Sequence, residues 1–160
     1  KVKALMSVGH AGESSHSIEN TKKWLLDVEP GEFDCTVITT YPGSPYFDDA
    51  KLIDGTYVYE DKSNGDRLYQ SSIDYLKELD YYKGDPDGGY VSYVWTDHIS
   101  AADIVKGRDE LENEVRTKLK IPFNRSRPGI VYEHSMGMGN NNIPPLILRS
   151  TQREKEGDTP

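Results

Sequence analysis

Four places in the sequence carry groups suited to chemistry: the loop Gly9-His10-Ala11-Gly12-Glu13-Ser14, the lone Cys35, and His98 and His134, each preceded by an acid. Glycines let backbone N–H and C=O groups approach a ligand closely, and a helix beginning directly after such a loop offers unpaired N–H groups. Without a ligand, the same loop is a strand-to-helix turn. Cys35 lies among Phe33, Thr36 and Val37, where a free cysteine serves as a small hydrophobe. His98 and His134 could relay protons or bind a ligand; surface or helix-cap roles are the alternative. A single cysteine excludes an internal disulfide, a Cys-based zinc site and a self-sufficient iron–sulfur site, since each needs several thiolates. Hydrolase chemistry lacks a nucleophile motif such as G-x-S-x-G, and no residue stands out as a catalytic acid or base.

The elements that must position these residues fall into two styles. Residues 2–8 (VKALMSV) are an apolar run that predicts a strand. Ser14 or Ser15 can then cap a helix to about Val28, with Ile18, Leu25 and Val28 on one stripe and Pro30-Gly31 to stop it. Residues 33–39 (FDCTVIT) have the β-branched enrichment of a buried strand, closed by the PGSP turn at 42–45. This order predicts a right-handed parallel crossover, with residues 3–8 and 34–39 adjacent.

Beyond it, residues 56–61 and 66–73 flank Asn64-Gly65 and predict an antiparallel hairpin. Leu68, Ser72, Tyr75, Leu76 and Leu79 also fit a helical stripe, so helix is expected beyond Ile73. Residues 84–89 (GDPDGG) read as a turn and 90–95 (YVSYVW) as a strand. Ser100 with Asp103 starts a helix to about Leu119, with Ile104, Leu111, Val115 and Leu119 inward. Asp109, Glu110, Glu112 and Glu114 mark its wet face, and Pro122 ends it. Residues 130–135 are a candidate strand, 137–145 a loop and 152–160 a disordered tail.

Leu, Ile, Val and Phe number only 34 of 160 residues, so the core is thin. Ten of the eleven tyrosines lie between Tyr41 and Tyr93, which suits a sheet or a polar-lined cleft. The net charge of −8 argues against nucleic-acid binding. Asp27–Asp97 holds 16 acids and 5 bases (−11), whereas Arg116–Arg153 holds 7 bases and one acid (+6). The basic tail either folds against an acidic surface or covers an anionic ligand. No apolar run approaches the roughly 20 residues of a membrane span, and no leader pattern stands at Lys1, so a cytoplasmic location without a membrane partner is expected.

The segment VKALMSVGHAGES, a helix, and then FDCTVITTYPGSPYFDDA is similar to the later strands of the radical S-adenosylmethionine enzymes, which read as an apolar strand ending in IGLPGE, a helix, and a strand ending in a TPYPGTPLY-like turn. The match covers residues 2 to about 50. The resemblance implies an α/β fold that is the C-terminal fragment of a partial (β/α) barrel. Residues 1–50 would be its late βαβ part, 51–151 an antiparallel, Tyr-rich extension, and 152–160 the tail. In that family a 4Fe-4S cluster donates an electron to S-adenosylmethionine, and the adenosyl radical abstracts a substrate hydrogen.

The family's CxxxCxxC motif, which lies upstream of the matched part, is absent, and a full barrel takes about 250 residues. The chain is therefore expected to be inactive alone and to hold no cofactor stably. Its implied partners are the N-terminal part of the barrel and a small-molecule substrate, and an exposed edge at residues 3–8 could drive self-association.

Carried over by position, Gly9, His10, Gly12 and Glu13 occupy the loop that helps hold S-adenosylmethionine. Ile38, Thr39 and Pro42 fall where the sixth strand meets adenine. Measured against GxIxGxxE, the interval Gly9–Glu13 is one residue too long and His10 replaces an apolar residue, so Glu13 either shapes the pocket or caps the helix. Arg125, Arg127 and His134 are the candidate substrate contacts. The rival reading is a non-catalytic binding module whose acidic middle meets a basic partner.

Overall fold

The computed structural model describes residues 2–73 and 91–121. Strand β1 (Lys3–Val8) runs parallel to β2 (Glu32–Val37), in register from Lys3 opposite Glu32 to Val8 opposite Val37. This meets the expectation for the two apolar runs. Helix α1 (Ser15–Val28) joins them. Ser14 is its N-cap: the hydroxyl accepts the Ser17 N–H at 3.2 Å, and the Ser14 N–H donates to the Ser17 hydroxyl at 2.9 Å. The serine does the return half of a capping box usually done by Glu or Gln. Glu29 closes the helix in the left-handed region (φ 47°), followed by Pro30.

The second strand differs from the fully buried one expected. Phe33, Cys35 and Val37 are buried while Glu32, Asp34 and Thr36 alternate with them on the other face. In β1, Ala4, Met6 and Val8 turn toward the core, and Leu5 and Ser7 are exposed. The parallel pair thus has one covered face and one open face, matching the period of 2 in its polar residues.

Helix α2 (Pro45–Asp48) is a single turn, and α3 (Ala101–Leu119) packs beside α1 and against β2. Ser100 caps α3 as its sequence predicts, accepting the Asp103 N–H at 3.1 Å. A Cβ on Gly107 would stand 3.1 Å from Ile18 Cδ1, so this glycine lets the two helices approach. Ile104, Leu111 and Val115 reach the core with Leu25, Phe33 and Val37. One assignment on α3 is corrected: Glu112 is 3% exposed and not on the wet face. It sits on the buried stripe beside Leu111 and Val115, where it is paired with Arg116, also 3% exposed.

A separate antiparallel sheet has the order β3 (Lys51–Ile53), β4 (Thr56–Glu60), β5 (Arg67–Gln70), β6 (Val94–Thr96). The β4–β5 hairpin is the one signalled by Asn64-Gly65, and Leu68 belongs to strand rather than helix. Strand β3 was not anticipated, although Asp54-Gly55, with φ of 49° and 81°, is the turn that hairpins favour. Strand β6 is shorter than the 90–95 run and shifted along it. The expected helix beyond Ile73, the turn at 84–89, the strand at 130–135, the loop at 137–145 and the tail lie outside the described residues. The described residues form a mixed α/β structure without a closed barrel, and no helix among them is long and apolar enough to cross a membrane.

Candidate functional site

Parallel pairing brings the exits of β1 and β2 to one end, so the segments 9–14 and 38–44 are neighbours. Gly9 and Gly12 both have positive φ, 93° and 78°. The Gly9 N–H donates to Glu13 Oε2 at 2.9 Å, the Ser17 hydroxyl donates to the other carboxylate oxygen, and the Glu13 N–H returns to the His10 C=O at 2.9 Å. Buried Glu13 therefore ties the loop to the first turn of α1.

The antiparallel sheet roofs this loop. Thr96 Oγ1 donates to the Glu13 C=O at 2.7 Å. A Cβ on Gly9 would stand 3.0 Å from Val94 Cγ2, and one on Gly12 would stand 2.3 Å from Asp66 Oδ2. Both glycines make room for the chain's own side chains.

His10 is half-buried at the rim. Its Nδ1 lies 3.3 Å from Tyr46 Oη and its Nε2 lies 2.8 Å from Ser7 Oγ. Which partner donates in each contact follows the tautomer of the ring, since both hydroxyls can give or accept a proton. Burial pushes the Tyr46 hydroxyl up from its ordinary range, and Tyr59 meets its ring edge-on at 4.8 Å. Ser7 had no signal in the sequence beyond its alternation with Met6 and Val8. In register it stands opposite Thr36, placing two hydroxyl residues on the open face.

On the β2 side, the Ile38 N–H extends the ladder to the Val8 C=O at 2.9 Å, and its side chain packs partly against the core. Thr39 is half-buried. Pro42 and Gly43 (φ 90°) are the central pair of a turn closed by the Ser44 N–H to the Tyr41 C=O at 2.9 Å, and Pro42 is exposed. His10, Ile38, Thr39 and Pro42 thus remain accessible among the proposed contacts, while Gly9, Gly12 and Glu13 face protein. His98 occupies an exposed turn into α3, its N–H donating to Thr96 Oγ1 at 3.0 Å. Arg125, Arg127 and His134 lie outside the described residues.

Cys35 is buried, and desolvation pushes its thiol up to about 12. Among the described residues no cluster of three or more His, Cys, Asp or Glu could hold a metal ion. Elsewhere, Arg67 grips Asp97 through Nε and Nη2, both at 3.0 Å, and the Tyr69 hydroxyl donates to the same carboxylate at 2.7 Å. Trp95 stacks on Tyr69 with centroids 5.9 Å apart. This cluster lies on the outer face of the antiparallel sheet.

No protein-family model matches the chain, and comparison with curated proteins and with solved structures found no similar protein.

Proposed function

We propose that the chain is the C-terminal part of a radical S-adenosylmethionine iron–sulfur enzyme, a piece of a partial (β/α) barrel whose strand ends help hold S-adenosylmethionine and substrate. The observation that carries this reading is the parallel β1–α1–β2 unit with segments 9–13 and 37–43 side by side at one end. Those segments carry the resemblance, and ligands of parallel α/β folds bind at the carboxyl ends of strands. The residues present do not fit the cluster: one buried thiol held as S–H is no ligand for iron. The cluster belongs to cysteines outside these residues.

The rim does fit part of S-adenosylmethionine. Ile38 offers a partly exposed apolar surface for adenine, while Thr39 and the His10–Ser7 pair offer polar contacts. When bound, the cofactor supplies hydrogen-abstraction chemistry. The chain's own share is to orient it and, through the β5–β6 roof over the Gly9–Glu13 loop, to keep water from one side.

Two measurements test the reading. The reading frame upstream of Lys1 should encode CxxxCxxC, and its absence there would sink the proposal. In the intact enzyme, Ile38→Glu should weaken S-adenosylmethionine binding by about tenfold or more, equivalent to about 1.4 kcal/mol. A variant that folds, by thermal melting, and binds the cofactor normally would place the pocket elsewhere.

A further inference from the structure

The two edges of the parallel pair are unlike. At β2, Glu112 Oε1 accepts the Cys35 N–H at 3.2 Å and Arg116 Nη2 donates to the Phe33 C=O at 2.7 Å. Arg116 is held in place by Glu112 at 2.6 Å and Glu32 at 2.9 Å. These are backbone groups that another strand would need, so α3 seals this edge.

Among the described residues, the β1 edge is open. Val2 and Val8 direct their carbonyls to β2, with bonds to Glu32 and Ile38 of 3.3 and 2.9 Å. By the alternation of the ladder, the N–H and C=O groups of Lys3, Leu5 and Ser7 face outward. Among the described residues no strand pairs with them. Leu5 and Val2 stand here 73% and 75% exposed. An unpaired edge bearing apolar side chains is a template for pairing with another chain.

We propose that β1 pairs antiparallel with β1 of a second copy, Leu5 opposite the partner's Leu5 on a two-fold axis, forming a closed dimer with a continuous four-stranded sheet. This register is self-complementary. It sets Lys3 opposite the partner's Ser7, Leu5 opposite the partner's Leu5, and Ser7 opposite the partner's Lys3. Every outward N–H and C=O from Lys3 to Ser7 then enters a two-bond pair. Slipping the strand by two residues in either direction loses one of these pairs.

On the core side, Ala4 meets the partner's Met6, small against large. On the other face, Lys3 stands opposite a hydroxyl residue and Leu5 opposite its own copy. No like charges face each other directly. Because the far edge of each parallel pair is sealed, this sheet ends at four strands. The interface is small, so association falls in the weak, concentration-dependent class. A further barrel strand in an intact enzyme would take the same edge, so the dimer belongs to the 160-residue chain.

Sedimentation equilibrium of that chain, over about a hundredfold range of concentration, should show monomer passing to dimer and no further. Leu5→Lys puts a charge at the two-fold axis and should weaken association by about tenfold or more; Ser7→Pro removes one outward N–H and should act in the same direction. In the unaltered chain, hydrogen exchange of the Lys3, Leu5 and Ser7 amides should slow as concentration rises. A monomer at every concentration, a dimer indifferent to Leu5→Lys, or growth beyond two copies in the unaltered chain overturns the proposal.

Discussion

At Gly9, one position answers to two constraints, a positive φ and a β6 side chain 3.0 Å from where a Cβ would stand. Gly9→Val should therefore cost stability of about 1–3 kcal/mol in urea unfolding, before any ligand is considered. An unchanged midpoint would show that the loop relaxes freely. Loss of cofactor binding in this variant would report the fold rather than the pocket, which makes Ile38 the better probe. Cys35 presents the opposite case. With its thiol pushed up by burial to about 12, it should react with thiol reagents only as the chain unfolds, and Cys35→Ala should cost about 1 kcal/mol. Rapid labelling of the native chain would contradict this. Glu112 shows why single residues mislead: its type suggests solvent, but its burial depends on backbone groups of β2 that lie 77 positions away.

Helix α3 acts on β2 through charges, which gives the element a pH signature. Burial pushes the Glu112 carboxyl up from its ordinary range, outweighing the opposing pull of Arg116. A carboxyl raised in the folded state adds stability below its unfolded value, and this is lost as pH rises through the folded value. Glu112→Gln should flatten that part of the stability profile while keeping an acceptor for Cys35. Arg116→Ala should be far worse, about 3–5 kcal/mol, because it strands a buried acid. Equal effects of the two substitutions would refute the clasp.

In the antiparallel sheet the sign reverses. The Tyr69 hydroxyl, and then Arg67, hold Asp97 below the ordinary carboxylate range. Its contribution is present near neutral pH and lost as pH falls through that lowered value. The melting difference between the unaltered chain and Asp97→Asn should shrink in acid; a constant difference would exclude this coupling. Much at this scale was legible. The Ser14 and Ser100 caps, the two parallel strands and the β4–β5 hairpin all follow from local chemistry. Asp54-Gly55 is an equally local signal for the β3–β4 hairpin, and the open face of β2 is written in the alternation of Asp34 and Thr36 with Phe33 and Cys35.

For the whole molecule, an isolated chain with one inaccessible thiol should take up no iron and cleave no S-adenosylmethionine after anaerobic reconstitution. Stoichiometric cluster formation would refute that expectation. What the sequence could not disclose is how distant segments complete the first sixty residues: the roof of Val94, Thr96 and Asp66 over the glycine loop, and the sealing of β2 by α3. That distance bears on the order of folding. Thr96 reaches Glu13 across 83 positions, Arg116 reaches Phe33 across 83, and Glu112 reaches Cys35 across 77. Contacts of such long range form late because the intervening loop must first close. On the ribosome, the outer edge of β2 emerges bare and stays sticky until α3 has been made. A nascent chain halted before Ala101 should therefore aggregate where the finished one stays dispersed.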